Sequence, residues 1–147
     1  MKSVTYTWFE VKARYEQTQE DGMVKKVTDT FTIAVDDFAE AYTKGCEYVE
    51  SSLTNGEYDI IGEKIASYKE VFFSDNTMDD KFYRVKMMFI TLDEKSNKEK
   101  KIPCYHLVQA SSIEKARKYI EEAYSDSMTD YTINEVVETK IIDAIHK

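Results

Sequence analysis

Trp8-Phe9-Glu10-Val11-Lys12 returns 74 residues later as Phe82-Tyr83-Arg84-Val85-Lys86. Each stretch runs aromatic, aromatic, charged, valine, lysine. Further matches follow in the same order. Lys25-Lys26 corresponds to Lys100-Lys101, and Val35-Asp36-Asp37-Phe38-Ala39-Glu40-Ala41 to Ala110-Ser111-Ser112-Ile113-Glu114-Lys115-Ala116, both 75 residues on. Tyr58-Asp59-Ile60 corresponds to Tyr131-Thr132-Ile133 at 73. Matches that keep their order at a nearly constant offset define an internal repeat. The chain therefore reads as two copies of one unit, residues 1–74 and 75–147. The polar, acidic stretch Ser74-Asp75-Asn76-Thr77-Met78-Asp79-Asp80 is the expected connector.

Each copy reads β-β-α-β. In the first, Tyr6 to Gln17 and Met23 to Val35 are rich in β-branched and aromatic residues. Glu20-Asp21-Gly22 lies between them as a hairpin turn, with glycine able to take positive φ. Asp37, with Glu40 three residues on, has the spacing of a helix cap. Phe38, Ala41, Tyr42, Gly45, Val49 and Leu53 follow as an apolar stripe. Asn55-Gly56 ends the helix, and Tyr58 to Ala66 is the last strand. In the second copy the strands are Phe82 to Leu92, Lys100 to Ala110 and Tyr131 to Glu138. Ser111 with Glu114 opens its helix, whose stripe is Ile113, Ala116, Ile120 and Ala123. Ile141, Ile142 and Ile145 form an apolar tail, expected as one helical turn. One such unit has a thin core and bare strand edges. The expected fold is therefore α+β: two fused β-β-α-β repeats in one compact pseudo-twofold domain, mostly antiparallel, with helices on one side.

Composition sets the class. The 147 residues are 42% hydrophobic and 33% charged, within the globular range. Two cysteines exclude a disulfide scaffold. No apolar run is long enough to span a membrane, and Met1 to Glu10 lacks an apolar leader, so the expectation is a cytoplasmic protein without membrane contact. The net charge of −8 argues against a general polyanion binder. Yet Lys81 to Lys101 carries seven basic residues against three acidic ones.

Strand alternation assigns that charge to a face. Phe9, Val11, Ala13 and Tyr15, with Tyr83, Val85, Met87 and Phe89, share an apolar register that faces the core. Phe31, Ile33 and Val35, with Ile102, Cys104, His106, Val108 and Ala110, share the corresponding face, where Asp29 is out of place. The opposite face carries Lys12, Arg14, Lys26, Arg84, Lys86 and Lys101 against Glu10, with three rings, Trp8, Phe82 and Tyr105. Cations interleaved with aromatics on an open sheet suit single-stranded nucleic acid or a nucleotide: bases stack on the rings and phosphates meet the cations. The same pattern also suits a plain solvated face. Trp8 and Phe82 are equally placed to cover the other copy or a partner chain.

The remaining groups point away from catalysis. Cys104 and His106 share a strand face, but the repeat sets His106 where the first copy has Phe31, so a core histidine is expected. His146 lies at the C-terminus. These residues match no zinc spacing, and no cofactor is called for. Asp36-Asp37 and Asp79-Asp80 read as a cap and a solvated linker. No phosphate-binding glycine loop or nucleophile elbow occurs. Tyr6, Tyr15, Tyr42, Tyr48, Tyr58, Tyr83 and Tyr131 read as packing residues.

Trp8 to Lys12, Glu20-Asp21-Gly22, Lys25-Lys26-Val27-Thr28, Phe82 to Lys86, Ile90-Thr91-Leu92-Asp93-Glu94-Lys95 and Leu107-Val108-Gln109-Ala110-Ser111 together resemble an uncharacterised family. Its members are duplicated β-β-α-β proteins from gut anaerobic bacteria and their phages. The resemblance implies no activity and no catalytic residue. It suggests a replication accessory of a phage or mobile element, or an inhibitor of a host defence factor. The expectation is a non-enzymatic module that binds single-stranded nucleic acid or a nucleotide. The alternative is an acidic protein-interaction module, such as a host-factor inhibitor with Glu40, Glu47, Glu50, Glu121 and Glu122 in a basic groove, or a homodimer.

Overall fold

The structure is a computed structural model and describes residues 1–146. The chain is α+β, with two helices and two mixed sheets. It divides into two units whose boundaries are not those of the sequence repeat. One holds residues 1–5 and 67–139, the other 6–66 and 140–147.

The second of these units is built on the hairpin β2 (Trp8–Thr18) and β3 (Val24–Ala34). Its turn needs Gly22 at φ +84, where a side chain would be strained. Asp37 caps α1 (Phe38–Tyr48), accepting a bond from the Glu40 amide at 2.8 Å. A π-helical turn, Val49–Leu53, continues the helix, and β4 (Tyr58–Ile65) returns antiparallel to β2. The sheet order is β4-β2-β3-β9, where β9 (Ile141–Ile145) lies parallel to β3. The tail is thus a strand and not the expected helical turn. It covers what would otherwise be the bare edge of β3, and Ile141 and Ala144 are buried there.

Phe9, Val11, Ala13, Phe31, Ile33 and Val35 pack under Ala41 and Val49 as one core, in the predicted register. Gly45 lets α1 lie close to the sheet, since an added Cβ would meet Val11 Cγ1 at 3.3 Å. The apolar stripe is narrower than predicted: Phe38 and Tyr42 remain 49% and 54% exposed. Asp29 is accommodated because the Tyr15 hydroxyl donates to its carboxylate at 2.6 Å. Burial, then that bond, raises the Tyr15 hydroxyl to about 12.

The other unit has the sheet order β1-β5-β7-β6-β8. Here β6 (Lys81–Leu92) and β7 (Glu99–Ala110) form the hairpin, and β8 (Asp130–Glu138) lies antiparallel to β6. Two strands went unforeseen: β5 (Glu70–Phe73), parallel to β7, and β1 (Lys2–Thr5), antiparallel to β5. The helix α2 (Ile113–Ala123) is capped by Ser112, one residue later than expected. Ser111 instead hydrogen-bonds Asp79. Ala116 and Ile120 cover a core of Phe72, Tyr83, Val85, Met87, Val108 and Ala110. Asp79 is buried, 2% exposed, and is no solvated linker residue. It accepts from the hydroxyls of Tyr119 at 2.6 Å and of Ser74.

Candidate interaction surface

Basic residues of the first hairpin stand on the helix-free face of its sheet. Lys12, Arg14 and Lys26 are exposed there, as alternation predicts. The neighbouring strand, however, supplies acids that the hairpin alone does not reveal. Arg14 lies 3.8 Å from Asp59, and Lys64 lies 3.9 Å from Glu10, both pairs bridging β2 and β4. Glu16 stands opposite Lys26. Trp8, at the start of β2, is fully buried (0%), as is Thr32. The expected exposed ring is therefore absent at Trp8.

The second hairpin repeats the pattern. Phe82 is buried at 3%, with Leu107 and Val71 fully buried. Arg84 is half-buried and lies 3.3 Å from Glu135 of β8, which also faces Lys86 in the ladder. Lys86 sits over the ring of Tyr105 at 5.8 Å, a cation–π arrangement, and Lys101 is exposed. Of the proposed platform, Tyr105 alone among the three rings reaches solvent, and only partly. Carboxylates interleave with its cations.

Burial of Trp8 and Phe82 has a visible cause. Each stands at or next to the start of its strand as half of an apolar doublet, Trp8-Phe9 and Phe82-Tyr83, and both members of each doublet are buried. Consecutive residues on a strand point to opposite faces, so an apolar pair signals burial on both. Leu107-Val108 and Val71-Phe72 carry the same signal and the same burial.

His106 lies in the core, as read. It is 4% exposed, and its ring stacks on Tyr124 and meets the edge of Phe72. Nε2 is 2.7 Å from the Tyr124 hydroxyl and 3.8 Å from Cys104 Sγ. Burial lowers the imidazole to about 4 and, with Glu70 nearby, raises the Cys104 thiol. A neutral thiol beside a weakened base does not form an activated nucleophile.

Sequence reasoning missed the outer surface of β4 and α1. Phe38 meets Phe9 edge-on at 4.9 Å, and Phe9 is the ladder partner of Ile65. Phe38, Tyr42, Ile61 and Ile65 are 44–57% exposed. Cys46, and with it Glu63 and Asp59 of β4, raise the Tyr42 hydroxyl, and the Tyr58 hydroxyl donates to Glu50 at 2.7 Å. Tyr42 was assigned to the core because its spacing fits the stripe; the close seat at Gly45 leaves it at the helix flank. Two grooves adjoin this unit's sheet. One, of about 770 Å³, is lined by Arg14, Glu16, Lys26, Tyr58 and Asp59. The other, of about 490 Å³, lies between α1 and β9, with Glu40, Lys44 and Glu47 at its rim.

Fold and surface define an α+β domain that carries an exposed apolar strand edge and charge-balanced sheet faces. Among the described residues, no helix is long and apolar enough to cross a membrane. The chain belongs to a family described as a domain of unknown function, DUF4494, which matches residues 7–147. No curated protein and no solved structure matches it.

Proposed function

We propose that the chain is a non-catalytic, cytoplasmic protein-interaction module built by duplication of one β-β-α-β unit. The interaction reading rests on one observation: Phe38 and Tyr42 of α1, and Ile65 on the helix side of the edge strand β4, are large side chains left about half exposed. Side chains of this size gathered on one surface are characteristic of interfaces. The duplication is supported by strand order. Each hairpin has its third strand beside its first strand, antiparallel, and a borrowed strand beside its second, parallel.

Nucleic acid is the weaker reading. It loses two of its three rings to burial, and its cations alternate with Glu10, Asp59 and Glu135. Without a net basic face there is little to drive counterion release.

The test is a comparison of immobilised wild-type protein with Phe38→Asp. The wild type is expected to retain a partner protein, including its own free copies, that the variant releases. Equal or empty retention overturns the reading.

A further inference from the structure

We infer that the partner on this surface is a second copy of the chain, joined by antiparallel pairing of the two β4 strands; this deepens the interaction reading and rests on it. The strand β4 is the outermost of its sheet, and its eight residues carry unpaired backbone groups along one side. Asp59, Ile61, Lys64 and Ile65 are exposed, and the other four residues of the strand are partly exposed.

The bulge in β4 makes this edge self-complementary. Register shifts between Lys12 and Ala13 so that Tyr58, Ile60, Glu63 and Ile65 pair with Tyr15, Ala13, Val11 and Phe9, on the helix side. Asp59, Gly62 and Lys64 pair with Arg14, Lys12 and Glu10, on the other side. A twofold axis between Ile61 and Gly62, perpendicular to the sheet, sets Tyr58 opposite the second copy's Ile65. It also sets Asp59 opposite Lys64 and Ile60 opposite Glu63. Each of these three pairs joins side chains of the same face, as an antiparallel ladder requires. Each Asp59 meets a Lys64, twice by symmetry. Both side chains are at least 70% exposed in their present ion pairs, which are weak and easily redirected. Phe38 and Tyr42 flank the seam on the helix side.

The edge strand β8 in the other unit provides a contrast. It carries Asp130, Glu135 and Glu138 and no basic residue, so a second copy of itself would meet only like charge. Acidic residues of this kind guard an edge against pairing. The strand β4 instead carries Asp59 and Lys64 near its opposite ends, so a second copy in antiparallel pairing meets opposite charge.

Sedimentation across low to high micromolar concentrations tests the inference. The mass is expected to rise from 17.2 kDa toward twice that value. Asp59→Lys and Lys64→Asp each place like charges opposite one another and should raise the dimer dissociation constant about tenfold or more. The double exchange, Asp59→Lys with Lys64→Asp, should restore it. Thermal melts check that each variant stays folded, as expected for exposed positions. A monomer at every concentration overturns the inference, as do single reversals without effect or a double exchange that does not recover pairing. A wild-type monomer that still retains another protein through Phe38 defeats this inference and leaves the interaction reading standing. A monomer that retains nothing defeats both.

Discussion

Burial holds the His106 imidazole at about 4, against an ordinary 6.5, so over that interval the unfolded chain takes up a proton that the folded chain refuses. The folded state is favoured fully above pH 6.5, and this contribution is lost as pH falls toward 4. The shift corresponds to a loss of up to about 3 kcal/mol across the window. His106→Phe places at this position the residue that the first hairpin has at Phe31. It should remove this slope between pH 6.5 and 4.5 in urea denaturation; an unchanged slope would show that His106 titrates normally. The position was legible in the sequence because the repeat aligns it with a core phenylalanine. The burial of Trp8 and Phe82 was legible too, in their apolar doublets, but alternation taken alone assigns every second residue to solvent. Asp29 was legible only as an anomaly. Its resolution needs the Tyr15 hydroxyl, which the sequence does not place.

At the level of elements, local chemistry was the most readable. Both hairpins, both helices, the Gly22 turn and the Asp37 cap follow from turn residues, β-branched runs and cap spacing. What failed was short and non-local: β1 and β5 have four residues each, too few for a period to register. The connector before β6 failed for a related reason, because an aspartate among polar residues looks solvated whatever it touches. Burial alone would raise the Asp79 carboxyl, but hydrogen bonds from Ser74, Tyr119 and Ser111, with the charge of Lys115, outweigh it and hold it below its ordinary value. The carboxylate thereby ties the connector to the start and middle of α2. A lowered folded value stabilises the fold above the unfolded pKa and is lost as pH falls through the folded one. Asp79→Ala strands three hydroxyls and should cost about 2 kcal/mol at neutral pH. The gap to wild type should narrow below pH 4. A gap that stays constant to pH 3 would mean that the aspartate acts by packing and not by charge.

On the scale of the whole chain, the repeat seen in sequence and the units seen in structure cut the molecule differently. Residues 1–74 end in a strand that joins the sheet built on the second hairpin, and residues 75–147 in one that joins the sheet built on the first: β5 pairs with β7, and β9 pairs with β3. The local sequence pattern marks the two stretches but not the exchange, since pairing partners leave no trace in one sequence. The exchange has a consequence for folding. Residues 1–74 alone retain β2, β3, β4 and α1 but leave β3 without β9, and their β5 has no β7 to join. Residues 75–147 alone leave β7 without β5, and their β9 has no β3. Each fragment would expose the inner strand edge and the apolar residues that the borrowed strand covers, among them Ile33 and Val108. Neither half is therefore expected to fold on its own, whereas the two mixed should recover both sheets, at a concentration-dependent level because association replaces a covalent link. Circular dichroism and sedimentation of each half and of the mixture read this directly. A half with a cooperative melt of its own would show that the borrowed strand is dispensable. Two unfolded halves that stay unfolded when mixed would show that the connector between β5 and β6, with Asp79 at its centre, is needed to bring the exchanged strands to their sheets.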